Sequence, residues 1–168
     1  AEAFSFLQSK NLYTVDDLEN TLHSMQDKID ALKKSASAKQ ARIKEVDALL
    51  RMVDYYKSGK PAADKLKSIR FEKSRQKYKS EHDDELRTFY MAERKLKPYF
   101  KDGKLPITAW RTERAQLEQE YRDIQTELSP LHADAKKLWA IHYNIYEVQH
   151  EQERQNTAMR QKKQEMER

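Results

Sequence analysis

Apolar side chains recur in alternating steps of four and three residues in two tracts, one near each end of the chain. This spacing places the members of each tract on one stripe of a helix, as in a coiled coil. The first tract consists of Leu18, Leu22, Met25, Ile29, Leu32, Ala36, Ile43, Val46, Leu50 and Val53, with the polar Lys39 at one position of the repeat. The second tract consists of Trp110, Leu117, Tyr121, Ile124, Leu128, Leu131, Ala135, Leu138 and Ile145.

The two tracts match in length, because the first and last members of each are 35 positions apart, at 18 and 53 and at 110 and 145. If the chain folds back between them, Val53 lies opposite Trp110 and Leu18 lies opposite Ile145. We therefore predict an all-α fold, an elongated antiparallel helical hairpin that resembles a coiled coil. Two shorter helices are expected at its tip.

Signals for the start and end of helices divide the chain into segments. We predict a lead-in over residues 1–13, followed by a first long helix over residues 14–56. Thr14, with Asp17 three residues later, forms a capping box at the start of this helix. The chain begins without Met, and we expect a single domain that is a piece of a longer protein.

The middle of the chain, residues 57–105, is predicted to contain two short helices. Gly59 and Pro61 are expected to end the first long helix, since glycine suits the position after a helix and proline suits the first turn of the next one. The two short helices are then predicted over residues 61–79 and 80–100.

The second long helix is predicted over residues 106–149, after the turn at Asp102 and Gly103. Pro130 lies inside it and should remove one backbone hydrogen bond. Because the apolar repeat keeps its phase across this proline, we expect a kink near residue 130 and not a break. Residues 150–168 form a polar tail that either frays or extends as a solvated helix.

Composition agrees with narrow apolar seams on long helices. Charged residues make up 36% of the chain, the hydrophobic set only 38%, and there are two glycines. The absence of cysteine excludes disulfides and thiolate zinc sites. No apolar run is long enough for a membrane span, so we expect no membrane partner.

Charge is distributed unevenly along the chain. The formal net charge is +5, yet residues 56–80, which we call the basic segment, carry nine cations and two acids, a net of +7. The cations are Lys57, Lys60, Lys65, Lys67, Arg70, Lys73, Arg75, Lys77 and Lys79. The aromatic residues Tyr56, Phe71 and Tyr78 lie among them. Together, these twelve residues are the predicted nucleic-acid-binding set.

Two interpretations of the basic segment stay open. Cations interleaved with aromatic rings can neutralise phosphates and stack on unpaired bases. Alternatively, the cations form a solvated face and the aromatic rings pack beneath it. Basic patches are common on protein surfaces, so a patch alone is an unspecific sign of nucleic-acid binding.

Signatures of enzymatic chemistry are not found, and we predict no catalytic residue, cofactor or metal. The five histidines lack a spacing that would let two of them share a metal from one helix. The acidic run from Asp83 to Glu85 could hold a cation, but acids are also favoured at a helix N-terminus by the dipole. Trp110 and Trp139 are expected to serve packing, and His142 to lie at the edge of the seam.

One stretch resembles a known family. The sequence SEHDDELRTFYMAERKLKPYFKDGKLPITAW, over residues 80–110, is similar to the region downstream of the nuclease domain in relaxases, the mobilisation nucleases of conjugative and mobilisable elements in Firmicutes. The matching positions are His82, Glu85, Leu86, Tyr90, Ala92, Lys95, Leu105 and Pro106, with Glu113 in the helix beyond. The opening FLQSKNLYTVDDLENTL also resembles the family's lead into its first long helix. The chain departs from the family pattern at Met91 and at Pro130.

This resemblance implies a helical module of a cytoplasmic DNA-nicking relaxase. The catalytic tyrosine and metal-binding histidines of the family belong to its nuclease domain, so no catalytic residue carries over to these 168 residues. The implied partners are DNA near a transfer origin, as single strand or duplex, and relaxosome proteins.

The alternative is a structural coiled-coil spacer or dimerisation arm, without a role in nucleic-acid binding. For this function the two matched stripes alone would suffice. Self-association would also need apolar residues outside the stripes, for which Leu49, Met52, Tyr143 and Tyr146 are the candidates.

Overall fold

The computed structural model describes residues 1–168 and consists of helices joined by short turns. The five α-helices are α1 (Glu2–Ser9), α2 (Val15–Ser68), α3 (Glu72–Glu81), α4 (Asp83–Leu96) and α5 (Ile107–Met166). A 3₁₀ turn, Lys97–Tyr99, follows α4. The long helices α2 and α5 pack against each other, which confirms the predicted all-α helical hairpin. By compactness the chain divides into two units, Ala1–Ser35 with Asp123–Arg168, and Ala36–Arg122.

In the first unit, the seam of α2 packs on the seam of α5 beside the short helix α1. Leu18, Leu22 and Leu138 are buried together. Side chains packed around them include Ile145, so the predicted pairing of Leu18 with Ile145 is confirmed at the level of one cluster. The surrounding residues are Phe6, Leu7, Leu12, Met25, Ile141 and Ile145.

The lead-in to α2 is more ordered than predicted. Residues 2–9 form the helix α1, which the pattern did not indicate because it is only eight residues long and has no buried residue. Asn11 then adopts a left-handed conformation, with φ of 58°, a conformation that asparagine tolerates better than most residues. This conformation lets the amide of Leu12 donate to the carbonyl of Leu7 at 3.0 Å and turns the chain into α2.

The predicted capping box at the start of α2 is confirmed. The amide of Asp17 donates to the hydroxyl of Thr14 at 3.0 Å, and the amide of Thr14 donates back to the Asp17 carboxylate at 3.2 Å. The amide of Tyr13 donates to the same carboxylate at 3.3 Å. These hydrogen bonds, that from Tyr13 foremost, lower the pKa of Asp17.

In the second unit, α2 and α5 are joined by a buried cluster and by ion pairs beside it. Val46, Val53, Leu96 and Trp110 form the cluster, so the predicted pairing of Val53 with Trp110 is confirmed. Flanking pairs connect the two helices: Lys39 with Glu120 at 2.7 Å, Arg42 with Glu113 at 2.7 Å, and Arg114 with Asp47. The polar Lys39, which interrupts the apolar stripe of α2, therefore binds the carboxylate of Glu120 on α5.

The predicted end of the first long helix at residue 56 is wrong, because α2 continues through Gly59 and Pro61 to Ser68. Pro61 removes one helical hydrogen bond. Apolar burial offsets this loss: the residues that follow, Ala62, Ala63 and Leu66, are buried against Leu86 and Phe89 of α4.

Gly59 belongs to the same contact between α2 and α4. A Cβ added at Gly59 would lie 2.6 Å from the Cβ of Phe89 and 3.1 Å from the carbonyl oxygen of Glu85. Glycine therefore lets the two helices approach closely, and it does not terminate α2 as predicted.

The boundaries of the two short helices also differ from the prediction. The predicted helix over 61–79 is divided at residues 69–71, where Phe71 has an extended backbone, with ψ of 127°. The predicted start at Ser80 moves to Asp83, because α3 continues to Glu81 and His82 forms the junction. Burial of one face of α4, comprising Leu86, Phe89, Ala92 and Leu96, sets the position of this helix.

The turn before α5 is a tight two-residue reversal. Lys101 and Lys104 exchange two backbone hydrogen bonds of 2.9 Å. Asp102 and Gly103, between them, both have positive φ, of 51° and 73°. An Asp-Gly pair suits such a turn, and α5 begins three residues later, close to the predicted start.

Helix α5 continues through Pro130 and through the predicted polar tail to Met166. The predicted continuation across Pro130 is confirmed, whereas the kink stays a prediction. Leu128, Ala135 and Leu138 are buried on either side of this proline. Of the two alternatives for the polar tail, the solvated helix is confirmed: residues 151–168 are exposed throughout, and α5 extends beyond residue 149 as far as Met166.

Candidate nucleic-acid interface

The basic segment occupies the C-terminal part of α2, a short linker and α3, all within the second unit. Four of its cations lie on α2, one lies in the linker, and four lie on α3. The first group is Lys57, Lys60, Lys65 and Lys67, the linker residue is Arg70, and the last group is Lys73, Arg75, Lys77 and Lys79.

Two backbone features produce this arrangement of two helices and a linker. The hydroxyl of Ser68 donates to the carbonyl of Lys65 at 2.6 Å and so satisfies a carbonyl in the last turn of α2. Phe71 then takes an extended conformation, and its carbonyl accepts from the amide of Arg75 at 2.9 Å, which opens α3. The cations are consequently distributed over two separate helices.

Eight of the nine cations are exposed, and Arg75 is half-buried. Two of them have a carboxylate within reach, one turn along the same helix: Lys60 lies 3.7 Å from Asp64, and Lys77 lies 4.0 Å from Glu81. Exposed pairs of this kind contribute little. The other seven have no ion pair and are Lys57, Lys65, Lys67, Arg70, Lys73, Arg75 and Lys79. The positive charge of the segment is therefore mostly uncompensated.

A small apolar cluster supports the basic segment. Ala62, Ala63 and Leu66 on one face of α2 are buried against Leu86 and Phe89 of α4, and Tyr78 of α3 packs at the edge of this cluster. The buried face of α2 thus points toward α4, which leaves the lysines of α2 on the solvent side.

Tyr56 is engaged inside the protein. Its ring is stacked on that of Phe89, with 5.0 Å between the ring centroids, and contacts Phe100 edge to face at 5.7 Å. The ammonium of Lys60 lies 5.8 Å from the centroid of the Tyr56 ring. Tyr56 therefore links the two apolar clusters of the second unit.

Tyr78 is also partly buried, and its ring has two intramolecular neighbours. The ring of His82 is stacked on it at 4.2 Å, and the ammonium of Lys65 lies 5.4 Å from its centroid. The cation–π contact between Lys65 and Tyr78 joins α2 to α3 across the linker. No local sequence pattern indicates this contact, because the two residues lie on different helices.

Phe71 differs from both tyrosines, because 78% of its surface is exposed. It lies in the linker, directly after Arg70. Of the three aromatic residues predicted to bind bases, Phe71 alone has an exposed ring.

Further cations lie on the turn between α4 and α5 and were not part of the predicted set. Lys97, Lys101 and Lys104 are exposed there. The sequence could have indicated their exposure, because they lie on both sides of the Asp102–Gly103 turn and side chains in turns commonly face solvent.

In the acidic run at the start of α4, one carboxylate is engaged by a cation of the same helix. Asp83 accepts a hydrogen bond from Arg87 at 2.5 Å, one turn later. No group of three or more His, Cys, Asp or Glu residues in the chain is arranged to hold a metal ion.

The positions on which the predicted resemblance to relaxases rests lie mostly on α4 and around the start of α5. Leu86 and Ala92 are buried. Glu113 forms the ion pair with Arg42 of α2, which lowers the pKa of Glu113 through the hydrogen bond from the guanidinium. Leu86, Ala92 and Glu113 therefore support the helical architecture.

Comparison of the chain with protein-family models, with curated proteins and with solved structures finds no match. No helix combines the length and the apolar character that crossing a membrane requires.

Proposed function

We propose that this chain is a non-catalytic helical module of a DNA relaxase involved in mobilisation of plasmids or transposons, and that it binds DNA through the basic segment. One observation carries the proposal: seven exposed or half-exposed cations without ion pairs are concentrated at the end of α2, in the linker and on α3. Such an array can neutralise several phosphates together, with release of counterions. The resemblance of residues 80–110 to relaxases supplies the biological setting.

The same resemblance supports two further parts of the proposal. Relaxosome proteins are additional partners, and the cytoplasm is the location in which the parent relaxase acts. The supporting features of the chain are positions in α4 and directly before α5, including Leu105 and Pro106.

The proposal is tested by fluorescence anisotropy with labelled DNA across a salt series. The variant changes five exposed cations that have no ion pair and no ring contact: Lys57, Lys67, Arg70, Lys73 and Lys79, each to Gln. Lys65 and Arg75 are left in place, because Lys65 contacts Tyr78 and Arg75 is half-buried. Affinity should fall by at least about tenfold at low salt, because a surface with fewer cations neutralises fewer phosphates and releases fewer counterions.

A matched control separates local contact from net charge. It changes five exposed cations of the first unit that also lack ion pairs: Lys33, Lys34, Lys136, Arg160 and Lys162, each to Gln. Both variants carry the same net charge. Equal losses of affinity in the two variants, or no binding by the native chain, would count against the proposal.

A second candidate function, a dimerisation arm, is favoured by apolar side chains on α5. Trp139, Tyr143 and Tyr146 are 46%, 61% and 51% exposed and are spaced by four and three residues, so they share one face. The ring of Trp139 has an edge contact with that of His142 at 5.8 Å, and its predicted packing role stays a prediction. Leu49 and Met52, the other candidates, pack partly buried against the cluster that contains Val46.

A further inference from the structure

The aromatic rings of the basic segment differ in their availability for stacking on bases. Tyr56 is stacked on Phe89, and Tyr78 is stacked on His82 and contacts the ammonium of Lys65. A base could reach either ring only by displacing these partners. Both tyrosines also pack against the apolar cluster formed by Ala62, Ala63, Leu66, Leu86 and Phe89. Their displacement would expose that cluster to solvent.

Two rings in or beside the basic segment remain exposed, Phe71 at 78% and Tyr55 at 38%. They are far apart. Thirteen residues of continuous helix, from Tyr55 to Ser68, extend about 20 Å, and the linker up to Phe71 can return by at most about 10 Å. The two Cα atoms are thus at least about 10 Å apart, and no other exposed ring lies between them along the chain.

Proteins that bind single strands combine a basic groove with rings on which successive bases stack. The basic segment supplies the charge and lacks the row of rings. Duplex DNA requires no such row, because its bases are already stacked on each other, and it presents one phosphate charge per roughly 1.7 Å of axis. The cations of α2 and α3, spread over two helices and a linker, can contact phosphates from both strands.

We infer that the basic segment binds the phosphates of duplex DNA and not unpaired bases. This inference rests on the proposed function, since it names the class of DNA that the same surface accepts. The interaction consists of contacts from Lys and Arg side chains to phosphate oxygens. It involves no stacking by Tyr56, Phe71 or Tyr78.

The test is anisotropy of the whole chain with a duplex and with each of its separated strands, chosen without self-complementarity, over the same salt series. The duplex should bind at least about fivefold more tightly than either strand at equal salt. Its affinity should also depend more steeply on salt, because the slope of log affinity against log salt per contacted phosphate is about −0.9 for duplex and about −0.7 for single strands. Phe71→Ala should leave the affinity for the duplex within about twofold of the native value.

Two results would overturn the inference while leaving the proposed function standing. One is equal or tighter binding of a single strand. The other is a decrease of about tenfold in DNA affinity in Phe71→Ala, the size expected when a stacked base is deprived of its ring. Absence of binding to the duplex and to both strands at low salt would instead overturn the proposed function. Circular dichroism of the variant verifies that its helices are intact.

Discussion

Gly59 is the residue at which sequence and structure differ most instructively. Local rules treat a glycine followed by proline as the end of a helix, yet Gly59 lies inside α2, under Phe89 of α4. The reason is a contact with a helix some thirty residues away along the chain, which no local pattern reveals. The same limitation applies to Tyr56 and Tyr78, whose stacking partners, Phe89 and His82, are determined by the packed structure and not by a local pattern.

Gly59→Ala is expected to lower the free energy of unfolding by about 1–3 kcal/mol. In an isolated helix, alanine would stabilise relative to glycine, but here the new methyl group would meet the Cβ of Phe89. Urea denaturation measures the effect, with Ser58→Ala on the exposed neighbouring position as the control. A Gly59→Ala protein at least as stable as the native chain would show that the two helices can separate at no cost.

The hydrogen bonds of Asp17 make the stability of the first turn of α2 dependent on pH. Its pKa is lowered in the folded state by hydrogen bonds from Tyr13 and Thr14. A carboxyl with a depressed pKa contributes stability above its unfolded-state pKa and loses it as the pH falls through the folded-state pKa. Amide signals of the first turn of α2 should therefore show fraying below that pH in NMR spectra. In Asp17→Asn this acid-induced step should be absent, and its persistence would assign it to another group.

At the scale of elements, the apolar repeat predicted the two long helices correctly and their ends poorly. A repeat sustained over 35 residues is a strong signal, because each turn adds a consistent apolar position. The end at residue 56 is wrong because α2 is extended by burial of Ala62, Ala63 and Leu66 on α4. Beyond residue 149, α5 continues as the solvated helix that the sequence left as one alternative to fraying. The exposure of the cations was predictable from their charge, whereas the division of α3 from α2 at residues 69–71 was not.

Pro130 offers a test of how α5 tolerates an interior proline. Its side chain is exposed, and buried seam residues lie on both sides of it. Pro130→Ala restores a backbone donor and removes the clash with the preceding turn, so the free energy of unfolding should rise by about 1–3 kcal/mol. Thermal and urea denaturation provide the measurement. A decrease in stability would mean that a bend at this proline is needed for the packing of Leu128 and Leu138.

At the scale of the whole molecule, the exposed aromatic face of α5 and the basic segment support different functions. If the chain is a monomeric DNA-binding module, sedimentation velocity should give the mass of one chain at micromolar concentration. In that case, replacement of Trp139, Tyr143 and Tyr146 by Ser should leave both this mass and DNA affinity unchanged. A mass of two chains that falls to one in this variant would favour the dimerisation arm.

The most direct test of the central claim is the dependence of DNA affinity on salt for the native chain and for the variant with Lys57, Lys67, Arg70, Lys73 and Lys79 changed to Gln. If roughly five phosphates are contacted by these side chains, the native slope of log affinity against log salt should be steeper by about four units on duplex DNA. The control variant of the first unit should keep the native slope. Identical slopes for all three proteins, or no binding at low salt, would contradict the account.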